Sequence, residues 1–130
     1  MGDVANLPAD DTNLETNFTG YQYTVVESDD ASRVEQCATD EYTIFQFKDK
    51  NNNNTDKIIV HWNGQSDVAP SQSTVYLQIY NQNTSTWEAI DNDSTTGAST
   101  DFDLDGAINT NVGYYYDAEY WVTWRVYQLA

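Results

Sequence analysis

Six side chains with flat aromatic or planar polar groups share one parity within two segments that we expect to be strands. They are Tyr76, Gln78, Tyr80, Trp121, Arg125 and Tyr127. A flat aromatic ring packs against the C–H face of a sugar, and amide or guanidinium groups bind its hydroxyls. If the two strands are neighbours, the six side chains form a carbohydrate-binding face. The alternative is that the rings pair across a sheet surface or lie under loops.

Aspartates alternate with apolar residues in another segment, Asp101-Phe102-Asp103-Leu104-Asp105-Gly106. Oxygen ligands at alternate positions, followed by a glycine, are typical of a calcium loop, although Val112 stands where its glutamate is expected. Two interpretations stay open: a structural calcium ion bound by Asp101, Asp103 and Asp105, or a strand with one solvated acidic face. Three other acidic loops could supply calcium ligands instead: Asp29-Asp30, Asp91-Asn92-Asp93 and Asp117-Ala118-Glu119.

Little in the sequence supports catalysis. A base such as His61 needs a nucleophile and an orienting acid, and no nucleophile-elbow motif is present. Glycoside hydrolysis needs two acids at a set separation, and no pair stands in a recognisable motif. A single histidine and a single cysteine, Cys37, also make zinc a poor fit. We therefore expect that the protein is not an enzyme.

Charge narrows the possible partners further. The 130 residues include 21 acidic and 5 basic side chains, for a formal net charge of -16. Each phosphate contact needs a cation, so nucleic acid and an anionic membrane surface are poor partners. A neutral sugar, a metal ion or a cationic ligand is compatible, and the acidity could also serve solubility or a saline medium. We expect no membrane insertion, because the longest aliphatic run is residues 58–60.

Apolar residues alternate along most of the chain, which predicts short strands instead of helices. Residues 1–19 predict a polar lead-in, and residues 20–130 predict a single domain. Strands are expected at 21–26, 42–48, 57–62, 74–80, 86–90, 102–104 and 121–127, and residues 31–40 are ambiguous. The fifth strand should close a hairpin with the fourth through a loop of four or five residues. The fold class is therefore all-β, a β-sandwich or jelly roll of about eight antiparallel strands.

Segments 75–81, 86–88 and 122–127 resemble the later strands of galactose-binding-like jelly-roll domains, which are similar to carbohydrate-binding modules. Segments 29–34, 44–48 and 62–66 resemble uncharacterised β-sandwich modules of large extracellular bacterial proteins. The resemblance implies a non-catalytic module, secreted or on the cell surface, that binds a glycan or a cell-surface polymer. Many galactose-binding-like domains also hold a structural calcium ion. The alternative is a structural spacer, or a self-associating subunit of a surface filament whose exposed aromatics anchor the interface.

Overall fold

The computed structural model describes residues 1–27 and 32–130. Within these residues the elements are β1 Gly2–Val4, α1 Gly20–Glu27, β2 Tyr42–Lys50, β3 Ile58–Gly64, β4 Val75–Asn81, β5 Thr86–Asp93, β6 Phe102–Ile108, a 3-10 helix Val112–Tyr115 and β7 Trp121–Leu129. The strands pair antiparallel in a five-stranded sheet, β1-β2-β7-β4-β5, and a two-stranded sheet, β3-β6. The predicted all-β sandwich class is confirmed, with seven strands in the described residues instead of about eight.

The main core lies between the two sheets. In β4, the predicted alternation is confirmed, because Val75, Leu77 and Ile79 are at most 3% exposed. The core consists of ten buried residues: Ile58, Val60, Val75, Leu77, Ile79, Phe102, Leu104, Tyr116, Val122 and Val126. We call the face of the five-stranded sheet that meets this core the inner face, and the opposite one the outer face.

β4 and β5 form the predicted hairpin, with residues 82–85 as its loop. The side-chain oxygen of Asn81 accepts hydrogen bonds from the backbone N–H groups of Asn83 at 2.9 Å and Thr84 at 3.1 Å. Ser85 adopts a left-handed conformation with φ of 55°. A polar residue that binds its own turn backbone is typical of such short loops. The loop has four residues, which confirms the expected length of four or five.

The first predicted strand, residues 21–26, is wrong, because these residues lie in helix α1. The Thr19 hydroxyl accepts a hydrogen bond from the Gln22 N–H at 3.3 Å, and the Gln22 side chain accepts one from the Thr19 N–H at 2.8 Å. This reciprocal pair is a capping box, which favours a helix start over the β propensity of the residues that follow. In the described part of the chain, no helix is long and apolar enough to span a membrane.

Residues 1–19, predicted to be a lead-in, pack against the rest of the domain. β1 pairs with the beginning of β2, with Gly2 opposite Ile44. The N-terminal amino group donates a hydrogen bond to the Thr16 carbonyl at 2.9 Å, which closes residues 1–16 into a loop. Ile44 shares the face of Tyr127 and is fully buried although it lies outside the main core. The outer face therefore has a small buried region of its own.

Truncation of a core side chain tests the orientation of the two-stranded sheet. Leu104→Ala should lower the free energy of unfolding by about 2–5 kcal/mol, because it leaves a cavity at a fully buried position. Ile59→Ala in the paired strand β3 is the matched control, since Ile59 is 73% exposed, and should cost less than about 1 kcal/mol. Urea unfolding measured by tryptophan fluorescence gives both values. Equal losses would contradict the orientation described.

A carboxylate connects the β4–β5 hairpin to the 3-10 helix. Glu88 accepts hydrogen bonds from the Asn81 amide at 2.9 Å and from the Tyr115 hydroxyl at 2.6 Å. The hydrogen bond to Glu88, followed by burial, raises the pKa of Tyr115 from 10.0 to about 12. The stabilisation is complete below pH 10, where the unfolded tyrosine keeps its proton, and is lost as the pH rises towards 12.

Tyr115→Phe should therefore reduce the fall of the unfolding free energy with pH under alkaline conditions. The unaltered protein should lose more unfolding free energy between pH 10 and pH 12 than the variant does, because Tyr115 keeps its proton in the native state and loses it in the unfolded state over that range. Tyr114→Phe is the matched control, because Tyr114 is 46% exposed. Denaturant titrations at a series of pH values measure the difference. A profile for Tyr115→Phe that parallels the unaltered protein would contradict the linkage.

Candidate functional site: the outer face of the five-stranded sheet

All six side chains predicted for sugar binding lie on the neighbouring strands β4 and β7, and four of them are direct cross-strand partners on the outer face. β4 and β7 pair with Tyr76 opposite Tyr127 and with Gln78 opposite Arg125. The Tyr76 and Tyr127 rings stack with centroids 5.4 Å apart, and Gln78 accepts a hydrogen bond from Arg125 Nε at 2.9 Å. The two pairs thus lie beside one another, one aromatic and one polar.

The other two predicted side chains are separated from this group. Tyr80 is only 6% exposed and packs edge-on against Trp87 of β5, with ring centroids 5.1 Å apart. Trp121 begins β7 and lies opposite Lys50, whose ammonium is 5.6 Å from the indole centroid. Tyr80 is therefore a packing residue, and Trp121 lies at the far end of the outer face from Tyr127.

Arg125 occupies the centre of the outer face and is 3% exposed. Its guanidinium lies 4.0 Å from the Trp87 ring centroid, and Nη1 donates a hydrogen bond to the Pro8 carbonyl at 2.9 Å. Burial lowers the pKa of Arg125 to about 10, against the opposing effect of Tyr127. It therefore stays charged at neutral pH. Among the described residues, no carboxylate forms an ion pair with it.

The residues that cover Arg125 come from the N-terminal loop, and we call residues 8–12 the strap. The Trp87 indole N–H donates a hydrogen bond to the Asp10 carbonyl at 3.1 Å, and Gln46 Nε2 donates one to the Thr12 carbonyl at 2.9 Å. Since Gln46 belongs to β2 and Trp87 to β5, the strap crosses the outer face from β2, over β7 and β4, to β5. It therefore covers the middle of the predicted sugar site.

One strap side chain is bound as well. The Asp11 carboxylate accepts hydrogen bonds from Gln82 Nε2 at 2.9 Å and from the Thr123 hydroxyl at 3.4 Å. Thr123 is 1% exposed. The outer face thus holds the strap through backbone carbonyls and through one carboxylate.

Beyond the strap, three tyrosines from three adjacent strands form a row: Tyr42 of β2, Tyr127 of β7 and Tyr76 of β4. The Tyr42 and Tyr127 rings meet edge-to-face with centroids 5.9 Å apart, and all three residues are half-buried. Burial raises the pKa of Tyr127, with Arg125 opposing and the neighbouring tyrosines adding to the rise. The row is a partly accessible aromatic surface, to which sequence reasoning assigned only Tyr76 and Tyr127.

The aspartates predicted to bind calcium lie along β6 and just before it. Each has a partner: Asp101 with Arg33 at 2.9 Å, Asp103 with Asn63 at 2.8 Å and Asp105 with His61 Nδ1 at 2.6 Å. Among residues 1–27 and 32–130, no group of three His, Cys, Asp or Glu side chains is placed to hold a metal ion. Each of the three carboxylates is bound to another side chain in this arrangement, and calcium binding stays a prediction.

Carboxylates of two alternative acidic segments accept backbone hydrogen bonds. Asp91 accepts a hydrogen bond from the Asp105 N–H, and Asp117 accepts one from the Trp121 N–H. Burial raises the pKa of Asp93, but hydrogen bonds from Thr96 and Thr95 outweigh it and lower the value to about 2. Asp29 and Asp30 lie outside the described residues.

An aromatic cluster on the inner face was not predicted. Phe18, which follows the N-terminal loop, stacks on Phe45 and Phe47, and Phe47 stacks on Trp124 with ring centroids 4.2 Å apart. These residues line a cavity of about 1390 Å³. The sequence did indicate that Phe45 and Phe47 share one face of a strand. It did not indicate their contact with Phe18, because helix α1, which begins two residues after Phe18, was predicted to be a strand.

A family model described as "Uncharacterized protein, C-terminal domain" matches residues 1–128. The chain belongs to this family. The match includes the strap, both sheets and helix α1, so the family domain contains the whole outer face. Neither the curated proteins nor the solved structures gave a match.

Removal of the central cation should loosen the strap in this family member. Arg125→Met leaves the Gln78 and Pro8 oxygens without their charged donor, and should lower the unfolding free energy by about 3 kcal/mol. Arg33→Met is the matched control, because Arg33 pairs with the exposed Asp101 and should cost about 0–1 kcal/mol. Hydrogen exchange should rise in residues 8–12 of the Arg125 variant alone. Unchanged protection there would show that Arg125 does not hold the strap.

Proposed function

We propose that this protein is a non-catalytic carbohydrate-binding module of a secreted or cell-surface protein. The row of Tyr42, Tyr127 and Tyr76 is its contact surface. The observation that carries the proposal is that three half-buried rings from adjacent strands meet on one accessible part of the outer face. Aromatic surfaces of this kind offer a large apolar area together with hydroxyl groups that bind polar ligands.

The geometry of the row suggests where a sugar ring would stack. The Tyr76 ring is 23° from parallel to that of Tyr127, so one of its faces is turned towards β7. Its other face is turned towards β5, where the residue opposite Tyr76 is the exposed Asn92. A sugar stacked there would place its hydroxyls near the Asn92 amide, which both donates and accepts hydrogen bonds. The tyrosine hydroxyls provide further partners.

Two further observations support a neutral ligand. With a net charge of -16, the protein should disfavour polyanions over a range set by the ionic strength, whereas a neutral glycan is unaffected. The strands that carry Tyr76 and Tyr127 are also those whose sequence resembles galactose-binding-like domains. That resemblance supports sugar binding by analogy of fold.

A glycan array with the intact protein, followed by calorimetry on the best ligand, tests the proposal. Tyr76→Ala should weaken binding by at least about tenfold, because loss of a stacking ring costs about 0.5–1.5 kcal/mol beyond its buried area. Tyr21→Ala is the matched control, since Tyr21 is 77% exposed on helix α1, away from the row. It should leave the affinity unchanged.

The proposal fails if no glycan binds, or if the two tyrosine variants bind equally well. Thermal melts of both variants, run alongside, separate loss of the contact surface from loss of the fold. A Tyr76→Ala protein that melts near the unaltered protein and still loses binding supports the proposed surface directly.

A further inference from the structure

We propose that residues 1–16 of one copy of this chain can occupy the outer face of a second copy, so that two chains exchange their N-terminal loops. The partner is therefore the same chain, and the exchanged contacts are those that the loop makes within one molecule. The inference is independent of sugar binding. It gives a physical route to the self-association that the sequence raised as an alternative role.

The outer face recognises the strap mainly through its backbone. Side chains of Arg125, Trp87 and Gln46 donate hydrogen bonds to the carbonyls of Pro8, Asp10 and Thr12, in that order. These donors belong to β7, β5 and β2, so all three lie within the five-stranded sheet and outside the N-terminal loop. A face built in this way accepts the strap of any copy equally well, because its contacts do not depend on which chain supplies the carbonyls.

The Asp11 carboxylate adds specificity to this backbone recognition. Gln82 and Thr123 bind it, and a segment without an acid at that position would leave both groups without this partner. A second copy brings Asp11 in register with Pro8 and Thr12. The chain's own N-terminal loop is therefore the segment whose fit to this face the structure demonstrates.

The strap does not satisfy every polar group beneath it. Gln46 Oε1 is buried and has no hydrogen-bond partner among the described residues, and Arg125 receives a neutral carbonyl where a carboxylate would bind more strongly. A buried polar group that lacks a hydrogen-bond partner costs free energy, and this cost reduces the stability of the closed strap. The loop can therefore open more readily than a fully satisfied segment.

The connection after the loop decides whether it closes on its own chain. Thr12 contacts Gln46 on the outer face, while Phe18 stacks on Phe47, which faces Trp124 on the inner side. Residues 13–17 must therefore pass around the edge of the sheet. With this length, closure on the same chain is favoured by an effective concentration on the order of millimolar. The unaltered chain should exchange loops only when its concentration approaches that range.

Shortening the connection tests the inference. Residues 15–17 are all exposed, and their deletion removes about 10 Å of reach, comparable with the thickness that the chain must cross. The shortened chain should form a dimer of twice the 14.8 kDa monomer mass, measured by light scattering after size exclusion. The triple variant Glu15→Gly, Thr16→Ser and Asn17→Gly keeps the length and should stay monomeric at the same micromolar concentration.

Hydrogen exchange of the shortened chain identifies the occupant. Protection of residues 8–12 in the dimer, lost together with the dimer on adding Arg125→Met, supports loop exchange. The inference is overturned if the shortened chain stays monomeric, whatever the protection of residues 8–12. It is also overturned if the shortened chain dimerises with residues 8–12 unprotected. If the shortened chain does not fold, the unaltered chain is refolded at millimolar concentration. A dimer that survives dilution then supports the inference, and its absence overturns it.

Discussion

The burial of the Arg125 guanidinium constrains the rest of the outer face. Removing a cation from water costs several kcal/mol unless its donors are bound and its charge is compensated. Here Gln78 and Pro8 accept hydrogen bonds from it, and the Trp87 ring lies 4.0 Å away. Gln78 belongs to β4, next to β7, Trp87 belongs to β5 beyond it, and Pro8 belongs to the chain's first residues. The sheet order and the position of the N-terminal loop therefore depend on each other.

This arrangement divides the outer face into three parts. The centre is closed by the strap, which Arg125, Trp87 and Gln46 hold through its carbonyls. One end carries the tyrosine row, and the other carries Trp121 beside Lys50. Aromatic residues that sequence reasoning grouped as one sugar site thus serve two purposes, because some stabilise the fold while others stay accessible. The proposed sugar contact uses only the accessible ones.

Most strands could be predicted because their alternation is a local signal. Residues 75–79 bury every second side chain, and the loop at 82–85 carries the Asn and Ser residues that short turns need. Helix α1 was missed although its capping box, Thr19 with Gln22, is visible in the sequence. The capping signal consists of only two side chains, whereas several of the residues that follow favour a β-strand. The candidate site could be predicted in part, since Tyr76 and Tyr127 do stack.

The sequence by itself determined the fold class, the parity of β4, β6 and β7 and the acidic surface, since all three follow from local pattern and composition. The tertiary structure alone decided that β7 lies between β2 and β4, that Tyr42 joins the row and that residues 8–12 cover Arg125. Pro8 and Arg125 are 117 positions apart in the chain. A contact between such distant residues depends on how all the intervening strands pair and pack, and no local pattern records that outcome.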